Sequence, residues 1–332
     1  MDYPLVTIVV VPRERFSHVI PSLESIYQNT DLPFKLVYVD GNSPPRVQRY
    51  LAEQAAQKGF HLIRTGHFLT PNQARNLGRA HVDTRYVAFV DNDLFVAPGW
   101  LEHLLRCAEG TGAWVVGPLY LEDKLEDRII HMAGGEAHFK QEQERRSFHG
   151  AHRFARRKLH EVQSQLQREP TETVEFHCAL ARNDIFATLG PLDERFMSVS
   201  EHQDFCLSVR AAGGGVYMEP NAMVTYFTAS PLRWIDLPYF FERWSETRNQ
   251  ATVEHLRRKW NLPDDDPFVR RMAQFSKKHR LFFIRLWFPW QLHKLGRMIT
   301  YPIVYTIDRL LSFIFEREVA GVRRDRARYQ SS

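Results

Sequence analysis

The stretch Tyr86-Val87-Ala88-Phe89-Val90-Asp91-Asn92-Asp93 decides the reading of this chain. A short apolar, β-branched run with no polar face reads as a strand buried on both sides, as in a parallel sheet. It ends abruptly in two carboxylates. Side chains alternate along an extended chain, so Asp91 and Asp93 are expected to point the same way and Asn92 back. In open α/β sheets the ligand crevice lies beyond the carboxyl ends of the strands. Two carboxylates there suit one hard divalent cation, Mg²⁺ or Mn²⁺, which in turn suits a diphosphate. The ordinary alternative is an acidic turn, with Asp93 capping the segment before Pro98.

The surrounding chain alternates strands with helices. Leu5 to Val11 reads as a first buried strand ended by Pro12, with Arg13-Glu14-Arg15 at its carboxyl end. His18 to Gln28 carries apolar residues at helical spacing. Phe34 to Val39 is a second strand, closed by the turn signal Asp40-Gly41-Asn42-Ser43-Pro44-Pro45. Val47 to Lys58 is a helix stopped by Gly59, and Phe60 to Arg64 a third strand. Asn72 is an N-cap candidate for a helix through Ala80. Trp100 to Glu109 reads as a helix and Ala113 to Pro118 as a strand. This alternation predicts a doubly wound, mostly parallel sheet flanked by helices. Asp40 and the Asp91/Asp93 pair then share one sheet edge, and the helix near Asn72 aims its positive end at it. An Asx turn is the ordinary role for Asp40. From Lys140 to Arg168 the chain turns polar and basic, predicting an exposed helix or loop. A further helix opens at Glu201-His202-Gln203-Asp204. Glu201 and Asp204 suit a first helical turn on dipole grounds alone, while His202 between them is a proton acceptor near neutral pH.

The 332 residues are 44% hydrophobic and 25% charged, which excludes wholesale disorder. A net charge of +5 permits an anionic partner without naming one. Basic and aromatic residues follow no nucleic-acid reader motif, so no nucleic-acid partner is expected. The three cysteines, Cys107, Cys178 and Cys206, are widely spaced and odd in number, predicting reduced, buried thiols in a cytoplasmic protein. Leu5 to Val11 is too short and lacks the basic lead of a signal peptide.

Taken together these motifs resemble the family 2 glycosyltransferases of the GT-A fold. The likeness runs from Val6 to about Phe227. It is carried by Thr7-Ile8-Val9-Val10, Ser22-Leu23-Glu24-Ser25-Ile26, Val39-Asp40-Gly41-Asn42-Ser43 and Asn72-Gln73-Ala74-Arg75-Asn76-Leu77-Gly78. Asp91-Asn92-Asp93, Leu189 to Phe196, Glu201 to Phe205 and Arg210 complete it. The resemblance implies an inverting, metal-dependent hexosyltransferase that moves a sugar from a nucleotide-diphosphate donor, a UDP-sugar foremost, to a hydroxyl. Asp40, Arg75 and Asn76 would contact the donor. Asp91 and Asp93 match the family's Asp-x-Asp motif, for Mg²⁺ or Mn²⁺ and diphosphate. The family commonly has Glu-Asp where this chain has Glu201-His202, so the base is His202, Glu201 or Asp204, or the site is silent. Relatives with a metal-binding His after the next strand differ from Val224-Thr225-Tyr226-Phe227 here. Arg243-Trp244 resembles the Arg-Trp of processive synthases, but Phe240 stands where their Gln belongs. A single transfer to a glycan or lipid-linked saccharide, as in polysaccharide biosynthesis, is the expectation. The alternative is a catalytically silent GT-A-like binding or scaffold subunit at the membrane.

Residues 1–230 are expected to form the catalytic domain and 231–332 a C-terminal helical extension. Between Leu281 and Phe315 aromatic and basic residues mix, and no apolar run reaches the roughly 20 residues that cross a bilayer. Helices in 281–315 suit the membrane interface, helped by the basic tail Arg323 to Arg328. Packing on the catalytic domain or an oligomer interface is the competing expectation.

Overall fold

The computed structural model describes residues 5–122, 128–142, 145–227, 230–288 and 300–315. The first half runs β1 (Val6–Val11), α1 (Val19–Gln28), β2 (Lys35–Gly41), α2 (Pro45–Lys58), β3 (His61–Thr65), α3 (Pro71–Arg79) and β4 (Tyr86–Asp91). It continues through β5 (Leu94–Val96), α4 (Trp100–Thr111), β6 (Val115–Glu122) and β7 (Ile129–Met132). Next come β8 (Gly135–Glu142), β9 (Arg145–His152), α5 (Leu159–Val162), β10 (Glu169–Pro170), β11 (Cys178–Arg182), α6 (Ile185–Leu189), α7 (Glu201–Ala211) and β12 (Val216–Tyr226). Four helices follow, α8 (Leu237–Arg243), α9 (Glu246–Lys259), α10 (Pro267–Ala273) and α11 (Phe275–Arg285), then a helix over 300–315.

The main sheet has the order β10-β12-β6-β11-β4-β1-β2-β3. Ladders from β4 through β1 and β2 to β3 are parallel, as the alternating pattern predicts. The other half is mixed, because β11 lies antiparallel between β4 and β6, while β6 and β12 are parallel. The opening stretch is therefore the centre of the sheet. Its alternate residues go to opposite cores: Tyr86, Ala88 and Val90 with α1 and α4, Val87 and Phe89 with α6 and α7.

Helix α3 crosses β1 and β2 closely. It is capped by Thr70 and Gln73 rather than Asn72, with Pro71 at the first position, where its missing N–H costs nothing. Asn72 instead donates to the Asp193 carbonyl at 2.9 Å. A Cβ on Gly78 would lie 2.4 Å from Val9 Cγ1 and 3.0 Å from Val39 Cγ2. Both valines are fully buried and have no room to yield. Gly78→Ala would gain about 1 kcal/mol of helix propensity but meet an overpacking cost of about 1–3 kcal/mol. A lower unfolding temperature is the expected result, and an unchanged or higher one would show the crossing to be looser than the geometry says.

One expectation changes. Residues 135–142 and 145–152 form an antiparallel strand pair, the β8–β9 hairpin, where an exposed helix or loop was expected from Lys140 onward. The hairpin's few apolar residues face the C-terminal helices, with Phe148 edge-on to Phe268 at 4.6 Å. The packing partner lies over a hundred residues away, so local polarity concealed the strands. The extension beyond residue 230 packs on the sheet half. Asp236 accepts from the Ser17 N–H and hydroxyl, both at 2.8 Å. The Tyr239 hydroxyl reaches the Pro12 and Leu69 carbonyls. Its apolar core also takes in Phe196, Val199 and Leu207. The three cysteines are free and buried, as expected.

Candidate active site

At the carboxyl edge the strand ends at Asp91, and residues 92–93 form a turn. This turn is stitched to the loop after β1. Asn92 Oδ1 accepts from the Arg13 N–H at 2.9 Å, and Asp93 Oδ2 accepts from the Glu14 and Arg15 N–H groups at 3.2 and 3.1 Å. The two carboxylates have different surroundings. Asp91 Oδ1 accepts from Arg75 at 3.2 Å, and Oδ2 pairs with His177 Nδ1 at 2.9 Å, with Arg13 at 3.5 Å. Burial alone would raise the Asp91 pKa; the bond to His177 and the charges of Arg13 and Arg75 outweigh it and keep the group ionised. Asp93 has no such partners. Burial, with Glu14 and Asp91 repelling, pushes it up to about 7. Its Oδ1 is buried without a hydrogen bond. One orphaned carboxylate oxygen in an electronegative spot fits a hard cation, so the Mg²⁺ or Mn²⁺ that the family motif implies fits Asp93, while both oxygens of Asp91 are engaged by protein.

The other expected residues divide in the same way. Asp40, at the end of β2, closes its own turn by accepting from the Ser43 N–H at 2.9 Å, and pairs with Arg64. Arg75 is fully buried, its guanidinium 4.3 Å from the centre of the Phe176 ring. Asn76 clips α3 to the loop before α7 through the Leu192 carbonyl and N–H, at 2.8 and 2.9 Å. Asp204 holds α9, accepting from Lys259 at 2.8 Å and the Trp260 indole at 2.9 Å.

Glu201 and His202 open α7 on the wall of a cavity of about 800 Å³, with Arg13, Glu175, His177 and Trp244 around them. Ser200, held in the left-handed region at φ 64°, turns the chain into this helix. Glu201 sits among three guanidiniums, Arg243 at 3.4 Å, Arg13 at 3.6 Å and Arg75 at 4.0 Å. Burial works against its charge, but these arginines prevail and lower its pKa. For His202 burial outweighs Glu175 and Glu201 and lowers the pKa, leaving a neutral imidazole. Its Nε2 is buried without a hydrogen-bond partner. A carboxylate clamped by three cations is a weak proton acceptor, whereas a neutral imidazole with an unbonded nitrogen is available to accept a proton.

Several residues in and behind this wall were not named as site residues in sequence. Arg13, Glu14, Glu175 and His177 come from loops beyond β1 and before β11. His279 reaches in from α11 to Glu14 at 3.1 Å. Tyr226, which ends β12, stacks on His177 with ring centres 4.2 Å apart. The one available hint was the density of histidine between residues 131 and 177.

A half-parallel sheet with a carboxylate turn at its central edge, where Asp91 meets the cavity wall through Arg13 and His177, is a GT-A architecture. The chain belongs to the glycosyl transferase family 2, whose model matches residues 7–190, more than half of its length. That span holds Asp40, Arg75, Asn76, Asp91 and Asp93; Glu201 and His202 lie beyond it. The fold is similar to that of GalNAc-T7 solved with UDP, GalNAc and Mn²⁺, at TM-score 0.52 and 15% identity over 84% of this chain and 55% of that one. This chain thus spans about half the length of GalNAc-T7. Two structures of S. aureus TarS 1–349, one in complex with UDP-GlcNAc, align over 96% of this chain and 91% of theirs at 14% and 13% identity, with TM-scores of 0.47 and 0.49. No curated protein matches the chain.

Proposed function

We propose that the protein transfers one hexosyl group, with inversion, from a nucleoside-diphosphate sugar to a hydroxyl of a glycan or lipid-linked saccharide. The observation that carries this reading is the free, buried Nε2 of a neutral His202, at the position where the family has its carboxylate. In this reading Asp40 and Arg75 border the nucleotide and Asn76 fixes the loop beside it. Asp93 would hold Mg²⁺ or Mn²⁺, which when bound would supply positive charge against the departing diphosphate. Asp91 keeps Arg75 and His177 in place. Glu201 holds Arg13 and Arg243 at the cavity. His202 takes the acceptor's proton at Nε2 as the oxygen attacks the anomeric carbon from the side opposite the diphosphate. UDP is the first nucleotide to test, since GalNAc-T7, of shared fold, was solved with it. A thermal-shift screen of UDP-, GDP- and dTDP-sugars with and without Mn²⁺, followed by a donor-hydrolysis assay, tests the whole reading. Stabilisation by no nucleotide sugar under any condition would overturn it. Binding without turnover would favour a silent scaffold subunit, a reading kept open by the full engagement of Asp91 by Arg75 and His177.

We further place the protein on the cytoplasmic face of a membrane, peripherally. Among the described residues no helix is long and apolar enough to cross one. Leu310 and Phe313 are 57% and 55% exposed, and Tyr301, Ile303, Phe282 and Trp234 are exposed too. Residues 289–299 and the basic tail 323–328 lie outside the described residues. Deleting everything from Leu281 would remove buried Phe283 and Ile284 and the Arg280–Asp308 pair, bonded at 2.7 Å, so point changes are the cleaner test. Leu310→Ser with Phe313→Ser is expected to weaken co-sedimentation with anionic vesicles roughly 10-fold or more, for two large apolar side chains. Absence of vesicle binding by the unaltered protein would discard the membrane placement.

A further inference from the structure

Beside the proposed base lies a group of side chains that sugar transfer leaves unexplained. On β7, Ile130 and Met132 are fully buried, so alternation turns His131 to the opposite side, into the cavity. His152 ends β9, held there by bonds joining Arg153 to the Gly134 carbonyl and the Ala133 N–H, at 3.0 and 3.1 Å. Glu175 stands between buried Val174 and Phe176, and its backbone is fixed by Tyr120, whose hydroxyl lies 2.7 Å from the carbonyl and 3.1 Å from the N–H. Four imidazoles converge on this one carboxylate through Nε2: His177 at 3.0 Å, His131 at 3.2 Å, His152 at 3.3 Å and His202 at 3.9 Å.

We propose that His131, His152 and Glu175 bind a borderline divalent ion of the Zn²⁺ type, at a site separate from Asp93. Ligand atoms of the three lie within 4.8 Å of one another. Tetrahedral ligands about 2.0–2.1 Å from zinc stand roughly 3.3–3.4 Å apart; Glu175 meets His131 through Oε2 at 3.2 Å and His152 through Oε1 at 3.3 Å, so its carboxylate spans the space between the two rings. His131 also gives Nδ1 to Glu122 at 2.8 Å, the outer carboxylate that typically orients a metal-bound histidine. Without an ion the cluster is held together by charged rings. His131 lies between Glu122 and Glu175, and His177 between Asp91 and Glu175. Each must be a cation to donate to both neighbours, with the two rings 5.8 Å apart, and His202 Nε2 still lacks a partner. An ion taking Nε2 of His131 removes one of those charges. Two imidazoles with one carboxylate favour zinc-like ions over Mg²⁺ or Mn²⁺, and a three-ligand set leaves a position open towards the cavity. The proposal stands independently of which group, if any, the protein transfers.

The test uses the full chain, stripped with chelator and titrated with Zn²⁺ by calorimetry and against a chromophoric chelator. One equivalent should bind with a Kd tighter than about 1 μM, and Co²⁺ should give a visible d–d spectrum that Zn²⁺ abolishes. His152→Ala, at the open side of the cluster, should weaken binding by at least about 100-fold, and Glu122→Gln, which preserves shape, by about 10–100-fold. Asp93→Ala and His138→Ala should bind Zn²⁺ as the unaltered protein does. Failure to take up an equivalent, or uptake undiminished in Glu122→Gln and in folded His152→Ala, would overturn the site and leave a hydrogen-bonded ion network.

Discussion

His202→Ala is expected to slow sugar transfer by about 100-fold or more, the usual worth of a positioned base. The side chain lines the cavity from the start of α7, and its Nε2 has no competing hydrogen bond, so removing it should leave the fold intact. Glu201→Gln separates the roles. Glu201 lies 3.4–4.0 Å from three guanidiniums, so its loss releases Arg13 and Arg243 and is expected to act mainly on KM for the donor. His202→Ala is expected to act on kcat. The comparison is a pair of full kinetic curves at saturating acceptor. A normal kcat in His202→Ala beside a dead Glu201→Gln would make Glu201 the base. Asp204→Asn should change stability rather than kcat, because Lys259 and Trp260 already occupy its oxygens.

Asp93→Ala is expected to abolish transfer. The residue offers one buried, unpartnered oxygen and two backbone-bonded contacts through the other. If Asp93 holds the proposed cation, losing it would remove charge compensation for the departing diphosphate, worth about several kcal/mol of the barrier. The binding readout is thermal. At a Mn²⁺ concentration about 100 times Kd, stabilisation of the unaltered protein should reach about 2.7 kcal/mol, and Asp93→Ala should show none of it. Asp91→Asn should differ in kind: a neutral amide cannot balance Arg75, Arg13 and His177, so the variant should lose stability first. Transfer at the normal rate by Asp93→Ala with saturating donor would remove the cation from that position.

The sheet was legible in sequence because burial on both faces writes itself into composition. Tyr86 to Val90 has no polar residue to spare for water, and the helices around it recur with a 3.6-residue period that needs no distant partner. Gly59 and the Asp40 turn were legible for the same local reason: a left-handed cap and an Asx turn are properties of a few consecutive residues. Hairpin β8–β9 was not legible. Its inward residues are Ala137, Phe139 and Phe148, and what they bury against, Phe268 on α10 and Trp260 just after α9, lies far along the chain.

The sequence by itself determined the strand-helix alternation, the family likeness, and the presence of Asp93 and His202 at a sheet edge and a helix start. Only the tertiary structure decided what those groups are. Asp91 and Asp93 look alike in a row of letters. One is held ionised by Arg75, Arg13 and His177, and the other is buried with an oxygen to spare. Glu201 and Asp204 are equally acidic, yet one faces three arginines in the cavity and the other is fastened to α9. The ionisation and reach of a side chain depend on charges and desolvation within a few ångströms. Those neighbours come from residues as far apart as Arg13, Glu175 and His279, which only folding brings together.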